Sequence, residues 1–150
     1  MEAFIEKILS IPSKPSYWLD WKTVDEAPQE KGSYILLLTL QRSFELNHKT
    51  LGNHLLEKGR YIYAGSANGS GGIKARVTRH LSKDKKIHWH IDHLTTQAET
   101  VKCLCLPGGS ECSLTSTLLT SEAFRVPIKG FGSSDCRECP SHLLEVVNTQ

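Results

Sequence analysis

The chain has 150 residues, 39% of them apolar, and a formal net charge of +2. That is enough for one domain with a core of its own, and it excludes wholesale disorder. Five cysteines, an odd count, exclude a complete set of disulfides and point to a reducing, cytoplasmic setting.

The opening run MEAFIEKILS carries Glu2 and Glu6, where a secretory leader would show cations and a long apolar core. No window is long and apolar enough to span a membrane. Phe4, Ile5, Ile8 and Leu9 predict a short helix, stopped by Pro12 and Pro15. Residues 1–31 read as a wrapping arm ahead of a single domain over 32–150. Trp18 and Trp21 would pin the arm to the body; base stacking is the alternative, and buried anchoring is the commoner role of tryptophan.

Gly32–Leu40 predicts a strand, apolar on both faces from Ile35 to Leu38 and therefore central. Arg42–His48 alternates and reads as an exposed hairpin partner, followed by a polar connection over Lys49–Lys58. Arg60–Gly65 predicts the next strand, with Tyr61, Ile62 and Tyr63 on alternating faces. Gly65, Gly69, Gly71 and Gly72 then make a tight turn. Ile73, Val77 and Leu81 recur every fourth residue, a helical stripe. Arg76, His80 and Lys83 lie off that stripe, close to one face. Between Lys74 and Lys86 the cations Lys74, Arg76, Arg79, Lys83, Lys85 and Lys86 face only Asp84, a local charge of +5. Such a patch suits a phosphate backbone; the plainer alternative is a solvated helix face.

His88–Thr96 predicts a further helix with Trp89 and Leu94 turned inward, and Val101–Leu106 an apolar strand. Ser110 is a good N-cap for a helix from Glu111 to about Ser121, with Leu114 and Leu118 on one flank. Pro127–Ser134 is a glycine-broken loop and His142–Val147 a short terminal strand. The elements add up to an α+β fold with a small mixed or antiparallel sheet flanked by helices.

Phosphodiester cleavage needs a proton acceptor for water, positive charge at the pentacovalent phosphate and a metal to neutralise charge. Paired antiparallel, the two tyrosine strands would bring Tyr34 and Tyr63 together beside the glycine turn. A tyrosine or His80 can handle the proton, Arg76 can hold the phosphate, and Glu111 can ligate one hard cation. Taken singly, each has a structural alternative: tyrosines in strands are core residues, and an acid at Glu111 suits a helix N-terminus. Tyr61 shares a sheet face with Tyr63 and competes for its role.

Two further clusters carry metal-ligand residue types. His88-Trp89-His90-Ile91-Asp92-His93 matches the letters of the HxHxDH zinc motif of metallo-β-lactamase-like hydrolases. That fold needs a longer chain and more ligands downstream, so the run is read as a helix packing Trp89 inward, with His90 and Asp92 bonding to the body. His88 is then placed for a phosphate contact. Cys136-x-x-Cys139 with His142 and Cys112 makes a chemically sensible Cys₃His zinc set. Buried thiols closing the C-terminal loop against the Glu111 helix are the alternative.

Gly32-Ser33-Tyr34, Tyr63-Ala64-Gly65 and Lys74-Ala75-Arg76 followed by His80 resemble the GIY, YIG and arginine-helix motifs of the GIY-YIG nuclease superfamily. Trp89-His90-Ile91-Asp92, Glu111-Cys112 and Gly130-Phe131-Gly132-Ser133-Ser134-Asp135-Cys136 are similar to the small GIY-YIG-like domain of the DUF123 type, found in bacteria and archaea and sometimes fused to base-excision repair enzymes. Ser33 and Ala64 replace the two isoleucines of the name motif. The resemblance implies a metal-dependent endonuclease acting on DNA, damaged, abasic or branched, with one Mg²⁺ or Mn²⁺ ion. By that analogy Tyr34 orients or deprotonates water, Tyr63 bonds the phosphate or its water, Arg76 stabilises the transition state, His80 assists proton transfer and Glu111 holds the metal. Lys74, Arg79, Lys83, Lys85, Lys86 and His88 would then bind DNA, with a repair protein as partner. A DNA-binding accessory module without turnover and a zinc-stabilised interaction domain are the competing functions.

Overall fold

The computed structural model describes residues 1–11, 18–132 and 138–147. Strand β2 (Gly32–Leu40) is buried along nearly its whole length, because its apolar run serves two cores at once. Tyr34, Leu36, Leu38 and Leu40 enter one core, and Ile35 and Leu37 enter the other. The strand is flanked on one side by β5 (Gly59–Ala67) and on the other by β6 (Thr100–Pro107). The edges are completed by β1 (Trp18–Leu19), β7 (Phe124–Arg125) and β8 (Leu143–Val146). The order is β1-β6-β2-β5-β8-β7, and every pairing is antiparallel.

One face is covered by α2 (Gly72–Leu81), through Ile73, Val77 and Leu81, and by α3 (Asp92–Thr95), through Leu94. The other is covered by α1 (Glu2–Ile8), through Ile5, and by α4 (Glu111–Leu118), through Leu118. The fold is thus α+β with a six-stranded antiparallel sheet between helices. Among the described residues no helix is long and apolar enough to cross a membrane.

Several elements differ from the sequence expectation. Phe44–His48 forms strand β3, but its partner is β4 (Gly52–Leu56), inside the supposed polar connection Lys49–Lys58, and not the central strand. This separate hairpin packs down through Leu46 and Leu56. The N-terminal segment contributes a strand to the sheet, since Trp18 and Leu19 pair with Leu104 and Cys103. Trp18 is further tied by its indole N–H, which donates to Glu6 Oε1 at 2.9 Å. Trp21 does not pin the segment: it is 70% exposed. Helix α1 ends before Pro12, with Ser10 in a left-handed conformation (φ 57°); Pro12 and Pro15 lie outside the described residues. Helix α4 stops at Leu118, short of Ser121. Its threonines bond back along the chain, Thr115 to the Glu111 carbonyl and Thr117 to that of Ser113, which weakens helix continuation.

The glycine turn joins β5 to α2 without leaving an anion cradle. Gly72 has φ +61°, and a Cβ there would sit 2.0 Å from the Gln29 carbonyl oxygen, so only glycine fits. The close approach lets the Glu30 and Pro28 carbonyls accept the N–H groups of Ile73 and Lys74 at 2.9 and 2.8 Å. The first turn of α2 is therefore satisfied by protein.

Between α2 and α3 the chain hangs on one carboxylate. Asp92 is fully buried. It accepts two bonds from the Arg79 guanidinium at 2.8 and 2.9 Å, and one each from the backbone N–H groups of His88 (2.8 Å) and Trp89 (2.9 Å). Those two backbone bonds require an irregular turn at His88–Ile91. That is why only Asp92–Thr95 of the expected helix His88–Thr96 forms. Burial alone would raise the Asp92 pKa; the Arg79 fork and the two backbone donors overcome it and hold the carboxyl at about 2. Its contribution to stability is therefore full above ~4, the range of an unfolded aspartate, and is lost as pH falls toward 2. Asp92→Asn is expected to cost about 3 kcal/mol, measured by urea unfolding at neutral pH, because it strands Arg79.

Candidate active site

The register of the central strands sets the two tyrosines. Tyr34 stands opposite Gly65 and Tyr63 opposite Leu36, two positions along on the same sheet face. The Tyr34 ring lies across Gly65: a Cβ there would sit 2.3 Å from its hydroxyl. Tyr61, opposite Leu38, is carried to the far end of the strand, where its hydroxyl donates to the Glu57 carbonyl at 2.6 Å. Tyr63, and not Tyr61, shares a cleft with Tyr34.

Helix α2 runs over this pair and delivers His80 and Arg76. The Tyr34 hydroxyl is bonded to His80 Nε2 at 2.7 Å. Both groups are almost wholly buried, and His80 Nδ1 has no hydrogen-bond partner among the described residues. Burial, reinforced by Lys85, pushes the His80 pKa down to about 3, so the ring is neutral at ordinary pH. Burial and the Tyr63 hydroxyl likewise drive the Tyr34 phenol well above its ordinary range. Burial pushes Tyr63 up to about 12 against the opposing pull of Arg76.

Arg76 is held from two sides. Its Nη1 donates to the Ser66 carbonyl at 3.1 Å, and its guanidinium lies 4.4 Å from the centre of the Trp89 ring. Arg79 meets the same ring at 4.3 Å. Each contact is worth about 1 kcal/mol. The sequence marks Trp89 as inward-facing, but its spacing gives no sign that it would carry two arginines. Glu111, from the first turn of α4, completes a cleft of about 420 Å³ with Tyr34, Tyr63, Arg76 and His80. His88, His90 and His142 also line it. His90 Nδ1 accepts the Gly132 N–H at 2.9 Å, and its ring meets that of His48 from the β3–β4 hairpin edge-on at 4.7 Å. The bond to Gly132 agrees with the expectation that His90 bonds to the body; that the hairpin's His48 joins it was not legible, because the three segments meet only in the folded chain.

The basic window is less available than its charge implies. Arg79 is committed to Asp92 and to the Lys86 carbonyl. Lys83 donates to the Thr95 and Ala98 carbonyls. Lys85, half-buried, donates to the Arg79 and His80 carbonyls and lies 3.9 Å from Asp92. The Arg79 and Lys85 side chains thus brace the end of α2, a correction to the expectation that they are free to meet DNA, while Lys83, though exposed, ties the following segment to the end of α3. Lys86 and His88 are exposed, Lys74 is half-buried, and His88 lies on the cleft.

Beside Glu111 a second cluster forms. The ligand atoms of Cys112, Cys139 and His142 all lie within 4.8 Å of one another, a set that can hold a metal ion. Cys112 Sγ is 3.6 Å from His142 Nε2. Cys136 lies outside the described residues. The His88–His93 run forms no such set among the described residues; its Asp92 is spent on Arg79, as above.

Two outcomes follow from this geometry. Gly65→Ala is expected to displace Tyr34 and destabilise the fold by about 2 kcal/mol, read by denaturant unfolding. For His80 the unfolded chain takes up a proton near pH 6.5 and the folded chain only near 3. Stability is therefore full above ~6.5 and declines below it. His80→Gln is expected to remove about 2 kcal/mol of the wild-type loss between pH 7 and pH 5, compared by unfolding at both.

A family model described as domain of unknown function DUF123 matches residues 33–150. No curated protein and no solved structure matches the chain.

Proposed function

Because the chain belongs to the DUF123 domain family, whose description assigns no activity, we propose from its own cleft that it is a metal-dependent DNA endonuclease of GIY-YIG type. The observation that carries this is the convergence of Tyr34, Tyr63, Arg76, His80 and Glu111, drawn from β2, β5, α2 and α4, on one cleft. The substrate is a phosphodiester in DNA, in damaged, abasic or branched form, and the setting is repair.

The residues divide the work by their chemistry. Water attacks phosphorus on one side as the bond to the leaving oxygen breaks on the other. The Tyr34 hydroxyl takes the proton from water while passing its own to His80 Nε2 along the 2.7 Å bond. That path needs the neutral ring with its proton on Nδ1; burial keeps the ring neutral and also makes it a weak acceptor, so it holds the proton only in passing before release to solvent. It also spares the site a free tyrosinate, which burial disfavours. The Tyr63 hydroxyl stays protonated and donates to a phosphate oxygen. Arg76, already aimed by Ser66 and Trp89, faces the charge that builds on the phosphate. The departing oxygen takes its proton from solvent at the open mouth.

Among the described residues lining the cleft, Glu111 is the one carboxylate. That fits Mg²⁺ or Mn²⁺, which keep most of their waters and take phosphate oxygens besides one or two carboxylates. Bound there, such an ion would neutralise charge on the phosphate.

Labelled intact, nicked, flapped and abasic duplexes, incubated with Mg²⁺ or Mn²⁺, test the proposal. At least one should be cut, with Tyr34→Phe, Arg76→Ala and Glu111→Ala each slower by ~10²–10⁴-fold. Salt-sensitive binding without cleavage, unchanged in Glu111→Gln, would instead mark a binding module.

A further inference from the structure

Helix α4 has little to hold its first turn. It spans eight residues, rich in serine and threonine, and is far shorter than a helix that stands alone in water. None of Glu111, Cys112, Ser113 or Leu114 is buried; the first buried residue is Thr115. The Ser110 N-cap bond to the Ser113 N–H is long, at 3.5 Å. Yet this turn carries Glu111 to the cleft. Apolar packing in this turn is confined to Leu114, half-buried against the core, at the far end of the turn from Glu111.

Cys112 is the next residue, and its side chain meets a second segment. Cys139 and His142, buried at 7% and 5% exposure, precede β8. That segment is itself anchored: the Pro140 carbonyl accepts the Gly130 N–H at 2.7 Å, His142 N–H donates to the Phe131 carbonyl at 2.8 Å, and the His142 carbonyl accepts the Ala64 N–H at 3.0 Å. The two segments, some 30 residues apart in sequence, thus present two thiols and an imidazole to one point.

We infer that Cys112, Cys139 and His142 bind a zinc ion that staples the first turn of α4 to the segment entering β8 and so fixes Glu111 at the cleft. Two sulfurs and one nitrogen are the donor set for a borderline-soft ion and a poor one for magnesium or calcium. The spacing agrees. Tetrahedral zinc with Zn–S of about 2.3 Å and Zn–N of about 2.05 Å places sulfur and nitrogen roughly 3.6 Å apart; Cys112 Sγ and His142 Nε2 are 3.6 Å apart. The third ligand atom lies within 4.8 Å of both. Binding takes the two thiols as thiolates, releases their protons to solvent and changes no oxidation state. The zinc site stands on this geometry alone; only its consequence for Glu111 rests on the nuclease proposal.

The test is metal content with spectroscopy, on the whole chain. Protein expressed with added zinc should hold about one equivalent by mass spectrometry of the metal, since three protein ligands and a water complete one tetrahedral site. The chelator-stripped protein should melt lower, and zinc should restore it. Titrated with Co²⁺, the stripped chain should show thiolate-to-cobalt charge-transfer bands, a readout that needs no variant. Cys112→Ser and Cys139→Ser should each weaken zinc binding by more than ~100-fold, beyond what loss of an outer-shell partner costs. Cys105→Ser, outside the cluster, should keep the ion. A wild-type chain that takes up neither zinc nor cobalt, or serine variants that bind zinc as well as wild type, would overturn the site. Zinc-free protein that cuts DNA at the full rate would overturn the link to Glu111. Zinc-loaded protein inert on every duplex would instead remove the nuclease proposal and leave the metal site standing.

Discussion

The buried Asp92 carboxylate is the constraint on which the cleft wall depends. A full charge without solvent is tolerable only when its lone pairs are taken. Here Arg79 takes two positions, and the N–H groups of His88 and Trp89 take two more. Satisfying the charge folds residues 88–92 into a fixed turn and sets Trp89 under both Arg79 and Arg76. A cation that would wander in solvent is thereby aimed into the cleft. The same pairing removes Arg79 and Lys85 from the pool of cations open to a phosphate backbone.

A second constraint lies in the sheet. The Tyr34 ring needs the space above Gly65, and its hydroxyl needs His80. An antiparallel register meets the first need, since it places Gly65 opposite Tyr34 and carries Tyr63 to the same face two residues along. Helix α2 meets the second because its Ile73, Val77 and Leu81 stripe faces the sheet and carries His80 down with it. The cost is an Nδ1 with no hydrogen-bond partner among the described residues and a histidine that burial keeps neutral.

Much of this was legible in residues alone. The limits of β2 follow from the apolar run Ile35–Leu38 and its glycine start. Helix α2 follows from a stripe at every fourth position, and the start of α4 from Ser110. The approach of Tyr34 and Tyr63 was likewise foreseeable from an antiparallel pairing of their strands; that Arg76 and Glu111 join them on one cleft was expected only from the resemblance to the GIY-YIG motifs. Other elements were not. The strand Gly52–Leu56 was hidden in a polar stretch, since a hairpin folding back on itself needs only Leu46 and Leu56 to reach the core. Trp21 reads like an anchor and is exposed, because burial depends on what lies opposite, and composition says nothing of that.

What the sequence determined by itself was local: periodicity selected strand or helix, capping and glycine set the ends, and residue chemistry named the groups able to move a proton or hold a phosphate. The tertiary structure alone decided which cations are spent inside and which tyrosine reaches the cleft, and it turned the set Cys112, Cys139 and His142, named by residue type, into a cluster across some 30 residues. The reason is physical. Periodicity is written in neighbouring residues, whereas pairing, desolvation and metal geometry depend on distances that exist only once the sheet has fixed its register.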